Sequence, residues 1–276
     1  MQDKELWMKR SKELLTLAAK VSEKLVQGSV APEKILSAMF MKGMQTFEAI
    51  RLLYMKNLPE QAQVLVRVLF ELRLDFYEFI HLCRIDPVAG TRRLLDAMML
   101  EKVKQQRESK FKGLELVEGA PTPEQLLQAE RNICSRYDEK EIKKLRRFGF
   151  SEMSVENRAK KAGLSDIYHV IYRNFSRNVH STDYAEYLGK QSSLRLSISA
   201  DYEDLRDHVS MSQAITSMWQ LCNHGGAIAF KDKFLSSGVL IDLMRISQRC
   251  TQMTHWVNME DEPVDEAHED THAEGE

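Results

Sequence analysis

The chain has 276 residues, 43% of them apolar, enough for one large domain or two small ones and too apolar for a disordered protein. With 12 Gly and 6 Pro against 14 Met, and with abundant Leu, Ala, Glu, Lys and Arg, the composition argues against a turn-rich β protein and for helices. The formal net charge of −2 hides an asymmetry: nine of the 41 acidic residues lie in 260–276, which has no Lys or Arg, so residues 1–259 hold 39 basic against 32 acidic side chains.

In chain order, the periodicity predicts an amphipathic helix over 3–27, with Leu6, Leu14, Leu17, Ala18, Val21 and Leu25 on one side. Gly28 breaks it. Pro32 suits the first turn of a second helix, to about Asn57. Pro59 opens a third, to about Arg84, and Asp86-Pro87 a fourth, to about Phe111. Residues 113–123, with two Gly and two Pro, read as a linker and as the one place where the domain could subdivide. Thr122 with Gln125 then forms a capping box for a helix running to about Phe148. Ser154 caps a short helix that ends at Gly163. Ser165 caps the next helix, to about Gly189. A serine-rich break precedes a helix over about 203–223, Gly225-Gly226 interrupts, and a last helix spans about 233–258. The expectation is one all-α domain over 1–259, a bundle of about eight or nine helices, followed by a disordered acidic tail over 260–276.

Several function classes fall away. No apolar run reaches the length of a membrane span, and the first ten residues lack the continuous apolar core of a secretory signal. Cys83, Cys134, Cys222 and Cys250 are far apart, which fits reduced thiols in a cytoplasmic protein and not a zinc site or a disulfide framework. No phosphate-binding loop, dinucleotide fingerprint, nucleophile elbow or His-Glu-x-x-His motif occurs. No cofactor or resident metal is expected. Glu78-x-x-His81 copies one step of a carboxylate-bridged metal bundle, but its only companion is Asp166-x-x-His169, and His268 with His272 sits in the acidic tail.

The chemistry-bearing residues concentrate in Tyr168–Ser181. As an α-helix, this stretch puts Tyr168, Tyr172 and Ser176 on one stripe and Arg173, Arg177 and His180 on a neighbouring one. Histidine titrates near neutrality and can move the ribose 2′-OH proton or protonate a leaving oxygen. Arginine can hold a phosphate and offset charge growing in the transition state. Asn174 and Arg177 would assist. The Arg-x6-His spacing is nonspecific, since chance gives roughly two such spacings in a chain of this composition. Arg249-x5-His255 is a second example. The surroundings favour the first. Residues 140–177 hold ten Lys or Arg against four acids, among them Lys143, Lys144, Arg146, Arg147, Lys160 and Lys161, a segment suited to nucleic acid or to a solvated helix face. Arg67 and Glu71, four apart in an otherwise apolar helix, would if buried need mutual pairing and hydrogen bonds from elsewhere, for which Tyr168 or Tyr172 are the candidates.

Taken together, Arg67-Val-Leu-Phe-Glu71, the run Met153 to Tyr168, and Tyr172-Arg173-x-x-Ser176-x-x-x-His180-Ser181 resemble a widespread bacterial family of unknown function. The resemblance spans about 30–190 and implies an all-helical intracellular protein without supplying a reaction. Within it, Arg173, Asn174 and His180 resemble, more distantly, the Arg/His helix of the HEPN ribonucleases, which cut RNA without metal. That likeness implies an endoribonuclease, dimeric so that two Arg/His helices face each other, in a defence or toxin–antitoxin setting. The alternative, ahead of a carboxylate-bridged metal bundle as a third reading, is a non-catalytic helical module that binds a protein or nucleic acid. In that case Arg67, Glu71, Tyr168, Tyr172 and Ser176 form a purely structural network.

Overall fold

The computed structural model describes residues 2–28, 30–108, 122–174, 200–234, 238–246 and 248, with backbone alone for 2–4, 106–108, 173–174, 200–206 and 232. The described residues are mostly helical, with no strand among them. Four long helices come first and last: α1 (Gln2–Val26), α2 (Ala31–Met55), α3 (Pro59–Ile85) and, near the end, α9 (Ala200–Phe230). Between them lie α4 (Pro87–Glu108), α5 (Pro123–Cys134), α6 (Glu139–Phe148), a 3-10 turn (Gly149–Ser151), α7 (Val155–Lys161) and α8 (Ser165–Tyr168). A π-helical segment, His169–Asn174, continues α8 directly. After α9 come a 3-10 turn (Lys231–Lys233) and a helical stretch over 239–246.

The helix starts follow local chemistry. Proline occupies the first turn of α2, α3 and α5, where its missing N–H costs nothing. Asp86 accepts from the N–H groups of Val88 and Ala89 at 2.9 and 3.0 Å and so caps α4. Thr122 and Gln125 close the expected capping box on α5.

Helices α1, α2, α3 and α9 pack on one another around a common core. Trp7, Leu14, Phe40, Phe47, Leu69, Phe70, Phe76, Phe79 and Met218 are all at most 2% exposed. The face predicted for α1 is the buried one, with Trp7 added to it and Leu6 only partly covered. Two polar contacts lock α9 in register: Gln63 Nε2 donates to Asp207 Oδ1 at 3.0 Å, and the Tyr54 and Ser210 hydroxyls bond to each other. A smaller core of Ala97, Leu100, Ile133, Ile142 and Leu145 joins α4 to α5 and α6, and Phe150 packs against both cores.

Three expectations need correction. Residues 123–148 form two helices, because Asp138 starts α6 with its own capping box to Glu141 and Tyr137 donates to Asp96 on α4 at 2.9 Å. Ser165 does not cap α8; it is the first helical residue, behind Leu164. Gly225-Gly226 does not break the chain, since α9 runs through both. A Cβ at Gly225 would sit 3.1 Å from the Phe40 ring and 3.2 Å from Val21, and one at Gly226 would sit 2.7 Å from Phe234. The pair lets α9 lie close on α1, α2 and the turn that follows it. Close packing, and not chain reversal, is what these glycines provide.

Candidate functional site

The site is organised by one face of α3. Arg67, Glu71, Asp75 and Glu78 recur at helical spacing and point to the chain segment 155–172. Arg67 Nε donates to Glu71 Oε1 at 3.2 Å, and its guanidinium lies over the Tyr172 ring at 3.8 Å from the centroid. Tyr172 in turn stacks on Tyr168, with centroids 4.9 Å apart and planes 20° apart. Arg158 of α7 pairs with Asp75, and Lys161 Nζ donates to both oxygens of Glu78 at 3.0 and 2.9 Å. Glu78 is buried, so the lysine supplies charge compensation that water cannot.

The Arg67–Glu71 pair is less enclosed than a core ion pair: its side chains retain 17% and 34% exposure. Arg158 is more enclosed, and burial holds its guanidinium below the ordinary value against the opposing charges of Glu71 and Tyr172. The cluster is therefore an ionic and aromatic latch at the rim of the bundle. It fastens α7, α8 and the π-segment to α3.

The geometry over His169–Asn174 is π and not the α geometry read from sequence, and Tyr168 and Tyr172 still stack on each other. Ile171 is fully buried beneath the segment. Arg173 and Asn174 close the π-segment, described by backbone only, and Ser176, Arg177 and His180 lie outside the described residues.

The basic segment is largely committed to neighbours. Lys143 pairs with Glu139 at 2.7 Å and Arg146 with the buried Glu130 at 2.9 Å, while the Arg147 guanidinium lies over the Phe148 ring at 4.8 Å. Arg146 and Arg147 also line a half-open cleft of about 490 Å³ between α4 and α6, floored by Leu94, Leu100 and Leu145. Lys144 and Lys160 are exposed and have no ion pair among the described residues. The roles of Asp75, Arg158 and the Glu78–Lys161 pair escaped sequence reading, although Asp75 and Glu78 continue the Arg67/Glu71 spacing along α3. Glu78 faces Lys161 and His81 is exposed, so the metal-bundle step is not assembled. Among the described residues no three potential metal ligands cluster. The Cys222 thiol is fully buried, which raises its pKa and removes it as a nucleophile.

A helical bundle with a latch linking an Arg-x-x-x-Glu helix to a Tyr-x-x-x-Tyr helix defines the class. The chain belongs to the family of unknown function DUF5677, which matches residues 33–193, more than half of its length and the span expected from the motifs. No curated protein matches the chain, and no solved structure does. The family match stops before α9 and starts after α1, although both helices fill the main core. No described helix is long and apolar enough to cross a membrane.

Proposed function

We propose that the chain is a HEPN-like, metal-independent endoribonuclease whose reacting groups are Arg173 and His180, with Asn174 and Arg177 assisting. The observation that supports this reading is the π-segment His169–Asn174, whose last two residues are Arg173 and Asn174. Such segments are rare and concentrate at functional sites, and a latch alone would be served by an ordinary α-turn. In the proposed reaction the ribose 2′-oxygen attacks the adjacent phosphorus, the P–O5′ bond breaks, and the products are a 2′,3′-cyclic phosphate and a 5′-hydroxyl. His180 moves a proton to or from these oxygens, and Arg173 balances charge on the phosphoryl group. A homodimer would bring two such helices together.

The test is total RNA incubated with full-length protein in excess chelator. Cleavage to cyclic-phosphate ends is expected, with loss in Arg173→Ala and His180→Ala while the helical circular dichroism persists. Intact RNA, or equal cutting by His180→Ala, overturns the reading.

The ion pairing of Lys143, Arg146, Arg158 and Lys161 favours a second reading, a non-catalytic helical module that binds a protein or nucleic acid, because these cations are already satisfied within the fold. Failure to bind RNA even at low salt would select the protein-binding form of that reading.

A further inference from the structure

The cleft between α4 and α6 lies outside the latch, and no step of the proposed reaction uses it. Its volume of about 490 Å³ is within the range of about 300–1,000 Å³ that small-molecule sites occupy. The floor is apolar: Leu94, Leu100 and Leu145 are at most 6% exposed, and Phe150 adds a half-buried ring. Gly149 sets that ring in place. It closes α6 at φ +71°, in the left-handed region that favours glycine, and the turn brings Phe150 to the cleft.

The rim is charged, and one of its cations is held in position. Arg146 Nη2 donates to the buried Glu130 at 2.9 Å and to Cys134 Sγ at 3.7 Å. Glu130 balances the charge of Arg146 and fixes its direction, but a guanidinium has five N–H donors. Nε and Nη1 of Arg146 have no acceptor among the described residues, and half of the side chain is open to solvent. Arg147, also at the cleft, is exposed and meets no carboxylate among the described residues. On the α4 side Glu101 accepts from Gln105 at 3.3 Å and lies 4.0 Å from Lys104, both half exposed, a pair too loose to close the opening.

This lining discriminates between ligands. An inorganic anion would leave the apolar floor wet, and a hydrocarbon acid would press its tail against Glu101 and Lys104. A nucleobase offers apolar faces to the floor and polar edges to Glu101 and Lys104. A phosphate attached to it can take charge-assisted hydrogen bonds from the donors that Glu130 leaves on Arg146.

We propose that the α4–α6 cleft binds a free nucleoside monophosphate, with the base on the floor beside Phe150 and the phosphate on Arg146 and Arg147. The site involves neither Arg173 nor His180 and does not depend on the ribonuclease reading.

The probes are the four nucleoside 5′-monophosphates, titrated calorimetrically into the full-length protein at matched ionic strength. Ribose 5-phosphate serves as the phosphate half, the free nucleoside as the base half and an RNA homopolymer as the polymeric form. At least one monophosphate should bind saturably, with each half weaker by about tenfold or more. Arg146→Lys keeps a charge for Glu130 but loses the planar fork, and should weaken binding by about tenfold. Arg147→Ala should weaken it as well, and its exposed position keeps the proposal testable if Arg146→Lys fails to fold. No binding by any monophosphate, ribose 5-phosphate binding as tightly as the best of them, or wild-type affinity in Arg147→Ala overturns the proposal. So does a homopolymer that binds more tightly per nucleotide than its monophosphate, which would mark an RNA surface instead.

Discussion

The guanidinium of Arg67 lies 3.8 Å from the ring centre of Tyr172, joining two residues 105 positions apart within the family-matched span. It is a cation–π contact reinforced by the Glu71 carboxylate on one side and the Tyr168 ring on the other. Tyr172→Phe keeps the ring face and with it the cation–π contact. Tyr172→Leu should cost about 0.5–2 kcal/mol in urea unfolding, since the site is partly desolvated. A double-mutant cycle with Arg67→Ala should return a coupling of about 0.5 kcal/mol or more. A coupling near zero would mean that the stack is incidental.

The Glu78–Lys161 pair is expected to act mainly on stability. Lys161→Ala strands a buried carboxylate and should destabilise by about 1–3 kcal/mol, discounted from a fully buried pair because the lysine is half exposed. Glu78→Gln in the same background should recover part of that loss. If Lys161→Ala leaves the urea midpoint unchanged, the pair does not hold α7 to α3.

Much of this fold was readable because its helix starts are written in short-range chemistry. Pro59, the Thr122–Gln125 box and Ser154 mark real boundaries. The failures occur where tertiary contact overrides a local signal. Gly225-Gly226 reads as a break, yet the space their missing side chains leave is taken by Phe40, Val21 and Phe234. For Arg67 and Glu71 the sequence points to Tyr168 or Tyr172 as hydrogen-bonding partners, because two polar groups in an apolar helix need them, and the contact present is the Tyr172 ring under the Arg67 guanidinium. The link from Asp75 to Arg158 was not anticipated, because nothing local distinguishes Asp75 from a solvated acid. The π-segment was also invisible: sequence periodicity assumes α geometry, and one extra residue in a turn leaves no compositional trace.

The glycine reading can be tested directly. Gly225→Ala places a methyl group against Phe40 and Val21, two core side chains with little freedom, and should cost about 1–3 kcal/mol. Gly226→Ala crowds the edge of the half-buried Phe234 ring, which can turn, and meets Val239 at ordinary contact distance, so its cost should be smaller. A chain-break role predicts the reverse of a packing role for Gly225→Ala: higher helical propensity and a gain in stability. The sign of the change in urea midpoint therefore decides between them.

His224 gives the fold a pH dependence with a definite sign. Its folded pKa lies below the ordinary 6.5, owing to burial and then to Arg73 and Arg84. Below pH 6.5 the unfolded chain therefore binds more protons at this residue than the folded one does. Its contribution to stability is fully present above pH 6.5 and is lost as the pH falls towards the folded value. Melting temperature should drop between pH 7 and 5 more steeply in the wild type than in His224→Gln. Identical slopes in the two proteins would mean that the imidazole is not held neutral by its surroundings.

The exposed cations distinguish an RNA surface from a solvated helix face. Lys140, Lys144, Arg147 and Lys160 are exposed members of the basic segment without ion pairs among the described residues, and Lys144 and Lys160 among them are able to release counterions from a nucleic acid. If RNA lies there, Lys144→Ala and Lys160→Ala should each lower the slope of log affinity against log salt by about 1, with unchanged thermal stability. Lys143→Ala and Arg146→Ala should change that slope less, because their charges are already balanced by Glu139 and Glu130. Equal effects from all four substitutions would indicate a diffuse field acting at a distance and no defined contact surface. The same titration in Arg173→Ala separates binding from cleavage, since that change should abolish cutting while leaving the contribution of Lys144 and Lys160 in place.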